Sequence, residues 1–372
     1  MSELLLINAI LLFIFVSFYL SFTFSQEISK RDTFYGIYLE EKYQHDPALK
    51  VISKHFKLQS LLIFLTVSTA TLLYINVQKA TENPLIILLS MIVQLVLYFT
   101  VYIKTFNKVK AFKKKHGVST PTHLKTVIDT EFIKEKNSLK KIFISLYTVP
   151  LLVTLGLMLY TFYNYSSLPS KIPTHWNYLG KIDAWSPKSY GSVLFPSIMQ
   201  FCTIILLAFV TLNIFTSRIK LNTNDIQKSK TNALKYLSGI ASSLYLIMLF
   251  IVVTFWGTTL AGLQGSDLNA YSLWISLLGP LIGVIVMLYT YIKYGDRSSS
   301  KDKSNGSYSP EDDDAFWLWG FLYNNPNDPA VMVQKRYGLG WTLNIGNKMG
   351  KFILVILLVF ILGSLVMPLF FN

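Results

Sequence analysis

The residues best suited to chemistry lie at positions 171–188, which read Lys-Ile-Pro-Thr-His-Trp-Asn-Tyr-Leu-Gly-Lys-Ile-Asp-Ala-Trp-Ser-Pro-Lys. Pro173 fixes its own φ and favours an extended lead-in. Asn177 and Gly180 suit a tight turn, because Asn bonds its own backbone and Gly tolerates positive φ. Such a turn brings the imidazole of His175 to the carboxylate of Asp183. The pair can act as a hydrogen-bonded clasp or as half of a metal site. The clasp needs nothing further, whereas a metal needs more ligands and no second His or Cys lies nearby. Asp183 can also accept backbone N–H bonds in the return stretch, and Trp185 suits a membrane interface. The candidate ligand-binding residues are therefore Pro173, His175, Trp176, Asn177, Gly180, Asp183 and Trp185.

A second motif-dense stretch occupies 315–349. It opens Ala-Phe-Trp-Leu-Trp-Gly-Phe-Leu-Tyr-Asn-Asn-Pro-Asn-Asp-Pro, in which Asn-Pro and Asp-Pro mark turns. Residues 331–337 and 341–345 then alternate as strands do, with Gly338 and Gly340 forming the bend between them. The expected product is a small β-hairpin lying on the membrane face or against the helices. Trp317, Trp319, Asn325, Asp328, Lys335, Arg336, Trp341 and Asn344 are its candidates for contact with a peptide or protein partner.

Other chemistries lack their residues. No His-Glu-x-x-His, Gly-x-Ser-x-Gly or Walker loop occurs in the sequence. The five histidines, His45, His55, His116, His123 and His175, are scattered over different loops. The single cysteine, Cys202, permits neither an intramolecular disulfide nor a thiolate metal cage. No catalytic residue, metal or cofactor is assigned, and the expectation is a non-enzymatic protein.

The elements that position these stretches are membrane helices. Of 372 residues, 52% are hydrophobic and 15% charged, against about 25% charged in a soluble domain. About 20 apolar residues are needed to cross the hydrocarbon. Eight stretches qualify, near 3–24, 58–78, 83–106, 142–163, 191–216, 237–258, 271–292 and 351–371. The expected fold is an all-α polytopic membrane protein of about eight transmembrane helices, with the small cytoplasmic β-hairpin before the last. The Met-Ser-Glu start carries no positive charge, which argues against a cleaved signal peptide and for a retained first helix. Segments 24–57, 104–141, 217–236 and 293–351 hold 6, 11, 5 and 8 of the 34 Lys and Arg, leaving Lys79, Lys171, Lys181 and Lys188 on the other side. That asymmetry predicts both termini outside, hairpin 171–188 outside and stretch 315–349 in the cytoplasm. It also explains the net charge of +14 by contact with a bilayer, with the Lys113-Lys114-Lys115 run facing anionic lipid, and without nucleic acid.

Segmentation follows. Residues 1–140 form an N-terminal membrane part with three helices, and 141–294 a motif-bearing part with four helices and an external loop at 164–190. Residues 295–314 read as a disordered linker, 315–349 as the aromatic and basic hairpin segment, and 350–372 as the last helix. Asp46 and Pro47 suit the start of a helix, which would carry Lys50, Lys54 and Lys57 along the headgroups. The span centres contain no ionisable residue. Their polar residues, Asn8, Gln94, Gln200 and Asn213, suit helix–helix hydrogen bonding or a transport path. Gly279-Pro280 suits a kink or a discontinuous binding helix. The alternative to a sensing protein is therefore a transporter or channel for a small or lipid-like solute.

The pattern Pro-x-His-Trp-Asn-x-x-Gly-x-x-Asp, carried by Pro173, His175, Trp176, Asn177, Gly180 and Asp183, resembles the signature of an uncharacterised bacterial membrane domain. That domain also occurs in the immunity protein family of the sporulation-delaying toxin. Stretch 316–346 resembles a second uncharacterised domain that accompanies the first in Firmicute membrane proteins, and 34–50 resembles their first cytoplasmic loop. The resemblance implies a plasma-membrane protein of a Gram-positive bacterium engaged in toxin immunity or membrane signalling. The chain departs from the immunity family in its extra N-terminal helices and in the added cytoplasmic hairpin.

Overall fold

The structure, a computed structural model, describes residues 3–29, 32–39, 41–78, 84–118, 130–177, 179–217, 219, 225–295, 313–338 and 340–366. In chain order the elements are α1 (Glu3–Thr23), β1 (Thr33–Phe34), β2 (Ile37–Tyr38), α2 (Glu41–Gln44), α3 (Pro47–Gln78), α4 (Pro84–Lys115) and α5 (Thr130–Tyr163). They continue with β3 (Lys171–Trp176), β4 (Ile182–Pro187), α6 (Tyr190–Ile214), α7 (Ile226–Gln264) and α8 (Ala270–Tyr294). The last are β5 (Trp317–Leu318), β6 (Leu322–Tyr323), β7 (Met332–Gln334), β8 (Trp341–Leu343) and α9 (Lys348–Val366).

The fold is an all-α polytopic membrane protein with small separate strand pairs. Helices α3 to α8 are each long and apolar enough to cross a membrane, and at most 33% of the apolar window of any of them is buried. Apolar faces left so bare are stable only against hydrocarbon. The first expected span is also helical, apolar over Ile7–Thr23, and the last is helical over Lys348–Val366. The expected linker falls almost wholly at 296–312, outside the described residues, as do the turn at 81–83 and Arg31, His123, Arg218 and Arg297.

Helix ends follow local chemistry. Asp46 Oδ1 accepts the Ala48 N–H at 2.8 Å, so α3 starts at Pro47, where the missing N–H costs nothing. Ser189 and Ser192 form a reciprocal capping box on α6. Asp225 caps α7, and Gly265, at φ 63°, closes it in the left-handed conformation. Asn269 caps α8.

The chain divides into two compact units, 1–125 with 309–329 and 333–347, and 126–308 with 330–332 and 348–372. In the first, β1–β2 and β5–β6 are tight hairpins whose turns pair an aromatic residue with glycine at positive φ, Tyr35-Gly36 and Trp319-Gly320. The two turns abut: a Cβ on Gly36 would lie 2.7 Å from the Cα of Gly320. Tyr102 of α4 donates its hydroxyl to Trp319 O at 2.8 Å and lies 3.4 Å from Tyr35 O. Around this point Phe34, Tyr35, Ile37, Leu39, Leu49, Phe56, Phe106, Val109 and Tyr337 form one buried cluster. Tyr337 stacks on Tyr35 and Tyr102.

Burial raises the pKa of the Tyr35 and Tyr337 hydroxyls above the usual tyrosine value of 10.0. An unfolded chain sheds those protons first. Their stabilisation is therefore whole below pH 10 and declines as pH rises above it. We expect this unit to lose stability above about pH 10, with a shallower decline in Tyr35→Phe. Melting temperature against pH, followed by tyrosinate absorbance, measures both, and equal slopes would remove Tyr35 from the account.

In the second unit, α5, α6, α7 and α8 pack in succession, and α5 also touches α7. Gly279 and Gly283 of α8 let α7 approach: a Cβ there would meet the Phe250 ring at 2.2 Å and Ile247 at 2.4 Å. Helix α8 runs unbroken from Ala270 to Tyr294 through Pro280, so the discontinuous-helix reading of Gly279-Pro280 is corrected. Asn8 exchanges hydrogen bonds with Asn76 of α3 at 3.0 and 3.2 Å, and Gln94 donates to Tyr98 in its own helix. Asn213 bonds the Phe209 carbonyl, while Gln200 donates to Val252 O at 3.4 Å. Asn8 and Gln200 thus bond across helices, and Gln94 and Asn213 within their own.

Candidate functional site

The 171–187 hairpin is irregular, and the irregularity makes the site. Lys171, Ile172 and Pro173 pair with Pro187, Ser186 and Trp185, and His175 then pairs with Ala184 and Trp176 with Ile182. Thr174 and Asp183 are the extra residues at the two register shifts. A bulge re-aims side chains, and here it brings His175 Nδ1 to 2.6 Å from Asp183 Oδ1. The His175 side chain remains 68% exposed and that of Asp183 40%. The contact is the hydrogen-bonded clasp in geometry, and among the described residues no group of three metal-ligating side chains occurs. With Nδ1 held by the carboxylate, Nε2 occupies the opposite edge of an exposed ring.

The turn is built by Asn177. Its Oδ1 accepts the N–H of Leu179 at 2.9 Å and of Lys181 at 3.1 Å, and its backbone pairs with Lys181 O and Gly180 N–H. Tyr178 lies outside the described residues. At about 1 kcal/mol for each such bond, Asn177→Ala should loosen the hairpin tip. We expect amide exchange at Leu179 and Lys181 to accelerate about tenfold with α6 and α7 unchanged. Unaltered exchange at both amides would show that the backbone bonds suffice.

The hairpin is seated on the α7–α8 connection, 265–269. Leu268 N–H donates to Gly180 O at 2.7 Å, and Trp176 Nε1 donates to Ser266 O at 3.1 Å. Asp267 Oδ1 accepts the Ile182 N–H at 3.0 Å, the backbone role expected of Asp183. Gly180 stands at φ 77°, and a Cβ on it would lie 2.6 Å from Leu268 O. Sequence reading missed 266–268. Their only signal is a short turn between Gly265, which ends one helix, and Asn269, which caps the next. The seven candidates thus separate. Pro173 and Gly180 are buried, Trp176 and Asn177 are partly buried, and His175, Asp183 and Trp185 are exposed. Leu179, 60% exposed, joins the exposed group.

The second candidate set, in the other unit, is mostly interior. Asn344 is fully buried. Its Oδ1 accepts the N–H groups of Asn325 and Gly346, and its Nδ2 donates to Asn325 O and Asp328 O. Asp328 accepts the Tyr323 hydroxyl, which accepts from Asn325. Strand β7 pairs with β8 as expected, and Lys335 N–H donates to Gly340 O across the bend. Arg336, 5% exposed, grips Asp313 and Asp314 and lies over the Trp317 ring. Asp314 also takes Lys113 Nζ at 2.7 Å and the Tyr38 N–H at 3.1 Å. Lys113, expected on anionic lipid, is thus an ion-pair partner in the fold. Burial lowers the pKa of Lys335. Trp341 is partly buried. Of the eight residues, Trp319 alone is exposed, at 45%, flanked by Leu318 at 39% and Phe316 at 37%.

Two families of unknown function match parts of the chain. The domain of unknown function DUF1648 matches residues 152–199, which contain the whole hairpin. The family of unknown function DUF5808 matches residues 326–351, which contain β7 and β8. Neither a curated protein nor a solved structure matches the chain.

Proposed function

We propose that this is a non-enzymatic plasma-membrane protein that senses, or confers immunity to, a molecule of the cell envelope. The ligand binds at the external hairpin and a peptide or protein partner at the cytoplasmic 313–347 segment. The observation that carries the reading is the His175–Asp183 pair, oriented at 2.6 Å yet exposed, on a hairpin that also exposes Trp185 and Leu179 and spends Trp176, Asn177 and Gly180 on its turn and seat. An exposed, pre-oriented polar pair on a surface that also presents apolar side chains has the composition of a recognition surface. The Lys and Arg asymmetry supports the sidedness and the plasma membrane as the site. On the inner face, Trp319, Leu318 and Phe316 offer the partner an apolar tip, and exposed Lys114 and Lys115 suit anionic headgroups.

The test compares a deletion strain complemented with the wild type, with His175→Ala or with Asp183→Asn. Transcripts and survival are measured with and without envelope-active peptide toxins. We expect both variants to accumulate in the membrane and to lose the response. Full complementation by both would refute the hairpin's role. Complementation by Asp183→Asn alone would show that the imidazole suffices without its carboxylate.

A further inference from the structure

Beneath the hairpin, α5, α6 and α7 bury hydrogen-bonding groups that bond to nothing among the described residues. They are the hydroxyls of Thr154 and Thr161 in α5 and Ser197 in α6, Gln200 Oε1, and Trp256 Nε1 and the Thr259 hydroxyl in α7. Thr154, Thr161, Ser197 and Gln200 are fully buried and Thr259 is 3% exposed. A buried hydroxyl without a partner carries an uncompensated desolvation penalty. Helical Ser and Thr ordinarily avoid this by bonding the carbonyl four residues back. Thr148, Thr203 and Thr254 do so in these same helices, so the unpaired groups are a local exception.

Their heights coincide. The Tyr147 hydroxyl meets Thr211 Oγ1 at 2.8 Å and its ring meets Tyr245, which fixes the register of the three helices. Fourteen residues from that layer, or about 21 Å at 1.5 Å per residue, the antiparallel run reaches Thr161 on α5, Ser197 on α6 and Thr259 on α7 together. Thr154, Gln200 and Trp256 stand one to two turns closer to the tyrosine layer, where Gln200 Nε2 reaches Val252 O. Thr154, Thr161, Ser197, Gln200 and Thr259 are on the buried sides of their helices, Trp256 is partly buried with its Nε1 enclosed, and the three helices pack pairwise. Strand β3 closes the end: Pro173 O and the Trp176 ring lie 3.8 Å from where a Cβ on Gly262 of α7 would be.

We infer that this three-helix niche binds a small uncharged polyol-like molecule. Its lining carries hydroxyls that both donate and accept, one donor in Trp256 Nε1 and one acceptor in Gln200 Oε1. It holds no charged side chain, so an ion would be buried without a counter-charge. A neutral molecule with adjacent hydroxyls pairs with both kinds of group. The site lies inside the bundle and does not depend on the exposed His175–Asp183 pair.

The experiment uses the full-length protein in lipid nanodiscs, with glycerol as the probe and glycerol 3-phosphate as its charged counterpart. Glycerol should raise the melting temperature saturably, by about 2–4 °C at tenfold excess over Kd, and glycerol 3-phosphate should not. The saturable part should vanish in Thr161→Val/Ser197→Ala/Thr259→Val, which removes the hydroxyls at nearly constant shape. A difference emission spectrum between the wild type and Trp256→Phe should shift to the red with glycerol, as the indole N–H gains a partner. A non-saturating shift of equal size in wild type and triple variant would overturn the proposal, because it marks a solvent effect. So would a triple variant much less stable than the wild type without glycerol, because the hydroxyls would then already be bonded to one another.

Discussion

Gly320→Ala is expected to destabilise the first unit by about 3 kcal/mol, the sum of two penalties. A non-glycine residue in the left-handed region costs about 1–2 kcal/mol, and Gly320 sits at φ 74°. The added Cβ would also lie 2.6 Å from Gly36 Cα and 2.9 Å from Gly36 O. Backbone cannot swing aside as a side chain does, so overpacking adds roughly 1–3 kcal/mol. Gly340→Ala separates the two terms, because Gly340 has φ 93° and nothing within 4 Å of its Cβ position. Trypsin susceptibility at Lys335 and Arg336, with melting in detergent, reports the outcome. Equal losses in the two variants would mean that the turns yield to each other.

Arg336→Met should cost a similar amount by a different route. The guanidinium is bonded to Asp313, Asp314 and the Gly36 carbonyl and covered by Trp317. Removing one side of a buried ion pair typically costs about 3–5 kcal/mol, because the partner charge stays behind. Asp313 is 32% exposed and can rehydrate, which sets the expectation at the lower end. Adding Asp313→Asn to Arg336→Met should recover part of the loss, since Asp314 keeps Lys113 as its counter-charge and no uncompensated carboxylate remains. Failure of that double variant to recover would assign Arg336 to packing on Trp317 instead of charge.

Much of this was legible in the sequence where a single helix or turn decides the matter. The span lengths, the Asp46-Pro47 helix start and the Asn177-Gly180 turn follow from apolar run length, capping chemistry and tolerated φ. The approach of His175 to Asp183 was also readable, because a turn between them leaves little else to happen. The bulges that set the geometry were not, since register depends on both strands together. The seat at Ser266, Asp267 and Leu268 was invisible for a plainer reason: it lies 85 residues along the chain from the strand it holds. Composition alone could not sort the aromatic and basic residues of 315–349 into surface and interior. Trp and Arg suit a partner surface and a satisfied interior equally, and only the placement of Asp313, Asp314 and Gly36 decides for the interior.

The abutting turns at Gly36 and Gly320 also bear on how the protein is made. Residues 1–125, 309–329 and 333–347 belong to one compact unit, and most of the chain that builds the other, 126–308, is synthesised between them. The two turns are 284 residues apart, so at about 5–20 residues per second roughly 14–57 s separate the first from the second. During that interval the aromatic face of Tyr35, Phe56 and Tyr102 waits without Tyr337. A chain that stops before residue 313 therefore carries α1 to α8 but neither α9 nor Tyr337, and its first hairpin keeps an uncovered aromatic face.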